Sequence, residues 1–313
     1  WIKFTSIFRW LNKINNNRFA KTIKKAINKL DFNNFILFND NDIFRSYHLK
    51  ELLKPATSIY YSRDYMIATP YWARHGKSLE PELIAKSDLC VANSTYLANY
   101  CKKYNPNSFY VGQGCDFDLF NNDESLQIPA DLLAIKKPIL GYVGALLSIR
   151  LDEDILLNLA TQKPDWSIVL VGPQDDDFKK SKLHQLKNVY FLGAKKPELL
   201  ASYIKGFDVC LNPQGVNPLT IGNYPRKIDE YLAMGKPTIA TKTEAISIFE
   251  DHIYIAETKE DYIKFAEKAL TENNNDLAEK RTAFAKTHTW EKNAAEIYKA
   301  INYVSENRIL DKS

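Results

Sequence analysis

Between Asp208 and Thr241 the chain passes from a short apolar run through a broken loop and a helix to a second apolar run. That order is characteristic of a parallel α/β sheet. Asp208-Val209-Cys210-Leu211 is short enough for a buried strand, and Pro213, Gly215 and Pro218 interrupt regular structure after it. From Tyr224 the pattern turns helical, with Ile228, Tyr231 and Leu232 three or four apart on one face. Gly235 and Pro237 end the helix, and Thr238-Ile239-Ala240 opens the next strand. A helix placed this way starts at the carboxyl ends of the strands, where unpaired N–H groups and the helix dipole favour an anion. Arg226, Lys227 and Glu230 fall in or near its first turns.

The same alternation runs through the second half. Strands are expected at Ile139–Val143, Trp166–Val171, Val189–Leu192, Val209–Leu211, Thr238–Ala240 and near Ile253–Ile255. Helices are expected from near Asp152, Lys179, Pro197, Tyr224, Ala245 and Lys259, and two more between Leu277 and Val304. Six strands with crossover helices make a doubly wound parallel sheet. The first half reads as a basic helix from Arg18 to Leu30, then the strand Phe35–Phe38. The polar turn Asn39–Asp42 caps a helix over Ile43–Leu53, and strands follow at Ser58–Tyr61, Leu89–Ala92 and Phe109–Val111. With 313 residues the chain suits two α/β domains of roughly 150 residues each. The polar stretch 121–137 suggests a boundary, giving domains 1–136 and 137–275 and terminal helices over 276–313 that pack back towards the first domain.

A content of 45% hydrophobic and 26% charged residues is that of a globular protein, and no apolar run approaches a membrane span. Cys90, Cys101, Cys115 and Cys210 stand far apart with no CxxC pair, which disfavours a zinc ribbon and suits reduced thiols in cytoplasm. The net charge of +4 is uneven. Residues 1–30 carry eight of the 42 basic residues and no acid, so the remaining 34 face 38 acidic ones. Trp1, Ile2, Phe4, Ile7, Phe8, Trp10 and Leu11 interleave with the first of those charges. That is a pattern for an anionic membrane surface, or for a solvated helix packed on its own domain. Nucleic acid is disfavoured by the acidic balance elsewhere.

Several residues carry candidate chemistry. Gly141 to Arg150 joins the first strand of the second domain to its helix. It is not a GxGxxG loop, but Gly144 lets backbone approach a ligand and Arg150 offers a forked donor to phosphate or an exposed surface charge. Lys227 and Glu230, one turn apart, form either a surface ion pair or a diphosphate clamp beside a carboxylate that accepts ribose hydroxyls. Asp64 follows the strand ending at Tyr61. It is a candidate base for activating an acceptor hydroxyl, or a helix cap or partner of Arg63. His75 orients phosphate or acceptor, or is a satisfied structural histidine. The histidines show no metal-ligand spacing, and Asp40-Asn41-Asp42 reads as a capped turn, so no metal and no cofactor are expected.

The run Pro225 to Thr241, PRKIDEYLAMGKPTIAT, resembles the donor-domain motif of family-4-like (group 1) glycosyltransferases of the GT-B fold, nearest the branch reading P-x-K-x-x-E-Y-L-A-x-G-K-P. Val143-Gly144 to Arg150 stands at the family's glycine loop, and Val171-Gly172-Pro173 at a strand-end turn. His288-Thr289-Trp290-Glu291 stands at the start of its last helix. In the first half, Ser87 to Ser94 resembles the family's strand and helix cap, more weakly. The resemblance implies two Rossmann-like domains facing a cleft, with Glu230 on the nucleotide ribose and Lys227 on the diphosphate. It also implies an amino-terminal segment of roughly 50 residues ahead of Trp1. Where most of the family has a sugar-contacting Glu, this chain has Gly222, so Thr220, Asn223 and Tyr224 are expected to take sugar contacts. Some relatives carry an Asp at what looks like the place of Asp64.

The function so implied is metal-independent transfer of a hexose from a nucleoside-diphosphate sugar to a glycan or lipid-linked acceptor in bacterial surface polysaccharide synthesis. The location would be the cytoplasm, or the inner face of the membrane. The alternatives are a nucleotide-sugar epimerase of the same fold and a non-catalytic partner in a glycan assembly complex.

Overall fold

The computed structural model describes residues 2–310; Trp1 lies outside them. The first half supplies α1 (Thr5–Lys29), β1 (Ile36–Asp40), α2 (Leu49–Leu53), β2 (Thr57–Ser62), α3 (Pro70–Lys86), β3 (Leu89–Ala92), α4 (Thr95–Lys102) and β4 (Ser108–Tyr110). There follow α5 (Ala130–Leu133), β5 (Ile139–Val143), α6 (Glu153–Gln162), β6 (Ser167–Val171), β7 (Val189–Gly193), α7 (Pro197–Gly206), β8 (Val209–Asn212), α8 (Arg226–Ala233), β9 (Thr238–Thr241) and β10 (Tyr254–Ala256). The chain closes with α9 (Lys259–Glu272), α10 (Asn275–Ala285) and α11 (Trp290–Leu310). Two all-parallel sheets result, β1-β2-β3-β4 and β10-β9-β8-β5-β6-β7. The fold class is α/β with two Rossmann-like units, as expected from the strand and helix alternation.

The chain divides into two compact units. The first comprises residues 1–112, 222–224 and 293–313, and the second comprises residues 113–221 and 225–292. This departs from the expected boundary at 136/137, because residues 113–136 pack with the second sheet. Tyr203 Oη and Lys195 Nζ hold the Asp131 carboxylate at 2.9 and 2.8 Å, and Leu132 fills the space beside Gly206. The terminal helices part company as well. α10 packs against α8 in the second unit, whereas Ala300, Ile301 and Val304 of α11 cover Ile59, Tyr61, Leu89 and Val91 of the first sheet.

Period-two burial builds the first core. Tyr60 and Cys90 face α3 and α4, while Ile59, Tyr61, Leu89 and Val91 face α11. In the second unit β5, β6 and β8 bury both faces, with Leu140, Ile168, Leu170 and Leu211 in one cluster with Leu156 and Leu159 of α6 and Tyr262 of α9.

Four local expectations are corrected. The basic helix begins at Thr5 rather than Arg18. The helix expected over Ile43–Leu53 shrinks to α2, because Asn16 of α1 takes the backbone that would propagate it: its Nδ2 donates to Phe44 O at 3.0 Å and its Oδ1 accepts His48 N–H at 2.8 Å. Near Lys179 two 3₁₀ turns, Phe178–Lys180 and Lys182–Gln185, replace a helix, with Ser181 capping the second. A 3₁₀ segment, Glu244–Phe249, stands where a helix was expected from Ala245.

Asn16 is fully buried. Asn16→Ala strands Phe44 O and His48 N–H, and is expected to lower stability by about 1–3 kcal/mol. The check is a fall in the urea midpoint at unchanged denaturant dependence.

Candidate functional site

The order of the second sheet reverses between β5 and β8, the switch point at which open α/β sheets bind ligands beyond the carboxyl ends of their strands. The β5–β8 ladder stops at Gly141 and Cys210. Beyond it, the Val143 N–H donates to Tyr231 Oη at 2.9 Å, which ties α8 to the end of β5.

Two glycines close the floor of this region. Gly144 (φ +143°) donates its N–H to Val171 O at 2.9 Å, and Gly172 (φ +156°) lies so close that an added Cβ would stand 1.9 Å from Gly144 O. The loop after β5 is then laced to its neighbours. Leu146 N–H donates to Pro173 O, Ser148 N–H and Oγ both donate to the Asp175 carboxylate, and Asp152 N–H donates to Pro213 O. Arg150 is half-buried, and its carbonyl accepts Gly215 N–H at 2.9 Å.

α8 opens after Pro225 with no side chain capping it. Lys227 lays its stem over Gly144, where an added Cβ would meet its Cε at 2.2 Å, and its Nζ stands 5.3 Å from the centre of the Tyr142 ring. Glu230 is buried and accepts from Arg226 Nε at 3.0 Å. Burial raises its carboxyl above the ordinary value, against the pull of Arg226 and Lys227. Next to it, the fully buried Asp229 meets His288 Nδ1 at 2.7 Å.

The second unit thus sets Lys227 of the helix start over Gly144, with Glu230 one turn along α8 and Arg150 on the loop after β5, its carbonyl tied to Gly215 of the loop after β8. Thr220 lies on the same loop, but its hydroxyl is spent on the loop itself, donating to Gly215 O and accepting Asn217 N–H at 3.0 Å. Asn223 and Tyr224 are buried and group with the first unit, as do Asp64 and His75. Asp64 is half-buried; its carbonyl accepts Met66 N–H at 2.8 Å and Asn41 Nδ2 at 3.2 Å, while Arg63 pairs with Asp40. His75 lies within α3, buried, its ring stacked on Phe8 at 4.0 Å and its Nε2 3.0 Å from Ile2 O.

Gly222 has a packing reason. Its carbonyl accepts Ser94 Oγ at 2.6 Å, and an added Cβ would stand 2.2 Å from Cδ1 of the Tyr96 ring. An acidic side chain has no room there. The sequence reading missed Asp175, Tyr231 and Asn212. Asn212 ends β8 buried, with its Nδ2 unpartnered. Its place at the end of the strand preceding the motif was the signal available.

Residues 137–273 match the family model described as glycosyl transferases group 1. A putative teichuronic acid biosynthesis glycosyltransferase, TuaH of Bacillus subtilis, is 28% identical over 226 residues. The alignment covers 68% of this chain and 56% of that protein, so the chain spans about half the length of this curated relative. Among solved structures, Anabaena HepE in complex with UDP superposes with a TM-score of 0.74 at 14% identity, covering 91% of this chain and 82% of that one. The sucrose-phosphate synthase of Thermosynechococcus elongatus superposes with a TM-score of 0.70 at 17% identity, covering 98% and 81%. The fold is of the GT-B class.

The buried Glu230 gives a pH test. Its folded-state value lies above the ordinary 4.5, so stability from the neutral form is present below that range and lost as pH rises through the raised value. Glu230→Gln lacks this loss. The gap in Tm between Glu230→Gln and the unsubstituted chain is expected to widen in favour of the variant as pH rises from 4.5 to neutrality; a narrowing gap would contradict the assignment.

Proposed function

We propose that the chain is a glycosyltransferase that takes a sugar from a nucleoside diphosphate and passes it to a glycan or lipid-linked acceptor in surface polysaccharide synthesis. The observation that carries this reading is the placement of Lys227, at the uncapped start of α8, over Gly144, with Glu230 one turn along α8. Lys227 and the helix start hold the diphosphate and stabilise its charge as it leaves; Glu230 accepts ribose hydroxyls. These groups supply the leaving-group stabilisation without calling on a divalent cation. A uridine nucleotide is favoured because HepE is described in complex with UDP and with UDP-glucose, and surface polysaccharide because TuaH is named for teichuronic acid. With Thr220 held by its own loop and Gly222 packed on Tyr96, the sugar contacts fall to Asn223 and Tyr224. Of the two candidate bases, Asp64 suits the role; His75 is taken up in anchoring the segment ahead of α1.

Isothermal calorimetry is expected to show binding of UDP or a UDP-sugar that Lys227→Ala and Glu230→Ala each weaken at least tenfold, about 1.4 kcal/mol. Asp64→Asn is expected to lower kcat by about 10²-fold or more while leaving donor KM near its original value. No binding of any UDP-, GDP- or CMP-linked compound would sink the proposal. Product formation from donor alone would favour the epimerase, and full function in Lys227→Ala the non-catalytic partner.

Membrane contact is part of the same reading. One outward stripe of α1 and the residue before it presents Phe4, Ile7 and Trp10, 69%, 48% and 63% exposed, and continues through the exposed Arg18, Lys21 and Lys25. Asn12, Asn16 and Ala20 occupy the buried side. No helix among the described residues is long and apolar enough to cross a membrane. This stripe suits the surface of an anionic bilayer. The chain is expected to sediment with phosphatidylglycerol vesicles but not with phosphatidylcholine, less so in high salt, and the triple variant F4S/I7S/W10S to lose most of that binding. Equal sedimentation of the triple variant would overturn this contact.

A further inference from the structure

Helical spacing allows Lys227 and Glu230 to pair with each other, but the structure separates them. Lys227 lays its stem over Gly144 and holds its Nζ above the Tyr142 ring. Glu230 accepts instead from Arg226, the first residue of α8, whose Nε stands 3.0 Å from Oε1. Arg226 fills the first open position of P-x-K-x-x-E, so this contact belongs to the present chain and not to the motif.

The contact does little for the helix. Arg226 and Lys227 put two cations at the end of α8 where the backbone dipole favours anions. Arginine ahead of glutamate at i, i+4 is also the weaker order for such a pair. The Arg226 side chain is 60% exposed and that of Glu230 8%, so water screens much of the attraction.

What the contact serves is the carboxyl. An ionised carboxylate has about four lone-pair sites on its two oxygens. Arg226 Nε takes one of them and leaves sites for two hydroxyls. A protonated carboxyl carries a donor of its own and has less room to accept. The charged and titratable groups that face Glu230 are Arg226, Lys227 and Asp229 on α8, and Cys115 from the segment after β4. With Lys227 turned to Gly144 and Asp229 opposing ionisation, Arg226 supplies the cation in direct contact.

We infer that Arg226 is a positioning residue for donor recognition: it pins Glu230 Oε1 so that the carboxylate takes the ribose 2′ and 3′ hydroxyls on its remaining lone pairs, and it acts through Glu230 rather than on the nucleotide. Burial raises the proton affinity of Glu230 against the pull of Arg226 and Lys227. Ribose recognition uses the ionised form, so it is present above the folded-state value and lost as pH falls through it. Removing the guanidinium raises that value further and moves the loss to higher pH.

The inference rests on the reading of Glu230 as the ribose acceptor, and the test keeps the two apart. Calorimetry of the full chain compares UDP with 2′-deoxy-UDP, or GDP with 2′-deoxy-GDP where the chain prefers guanosine. The terminal phosphates titrate alike within each pair, so the ratio of affinities reports the ribose contact. The unsubstituted chain is expected to favour the ribonucleotide by about tenfold or more between about pH 6.5 and 8.5. For Arg226→Gln the ratio is expected to shrink to roughly threefold or less at about pH 6.5 and to recover towards about pH 8.5. Arg226→Lys keeps a cation and is expected to retain most of the ratio at both ends. A ratio that Arg226→Gln leaves unchanged, with or without equal weakening of both nucleotides, would overturn this inference and leave Glu230 as the ribose acceptor. An unsubstituted chain with no preference for the ribonucleotide would overturn both.

Discussion

The hydroxyl of Tyr231 is the interaction on which the candidate site depends. The strands β5 and β8 cease to pair at Gly141 and Cys210, which is what opens a crevice at the switch point. Backbone groups beyond the last rung would be left unpaired in the interior, at a cost of about 1–3 kcal/mol each. Tyr231, one residue after Glu230 and one turn after Lys227, supplies the partner for Val143. The same contact therefore satisfies the parted strand and fixes the register of α8 against it. Lys227 arrives over Gly144 as a consequence, and only the absence of a Cβ there leaves room for its stem.

Electrostatics at this helix run against stability. Glu230 is taken out of water and accepts from Arg226, whose own side chain is 60% exposed. Such a pair returns little. A carboxyl whose proton affinity is raised by burial is a costly way to build a helix. Glu80 in the first unit is buried too, but its carboxyl accepts from the hydroxyls of Tyr60 and Tyr100 at 2.6 and 3.1 Å. The two carboxyls show how burial alone does not set a role; the donors around the group do.

Much of the fold was legible because burial patterning is local. The run Ile139–Val143 forms β5 with the expected bounds, and the other five strands of the second sheet lie within a residue or two of expectation, with β5, β6 and β8 buried throughout. The misses were places where a distant side chain overrides local preference. Asn16, 28 and 32 positions away, captures the backbone at Phe44 and His48 and cuts a helix short. The extent of each unit was likewise hidden, because the ties of Asp131 to Lys195 and Tyr203 link residues more than sixty positions apart.

At the site, the sequence by itself determined the residue types and their periodicity: a glycine after β5, a cation and a carboxylate one turn apart on α8, and glycine in place of an acid at 222. Spacing along a helix is a local property, so it can be read directly. Only the tertiary structure decided which of these groups meet. It brought Lys227 onto Gly144, closed Thr220 into its own loop, packed Tyr96 where a side chain at 222 would go, and set His75 under Phe8. Those outcomes follow from hydrogen bonds and contacts between segments far apart in the chain, whose partners no local pattern names.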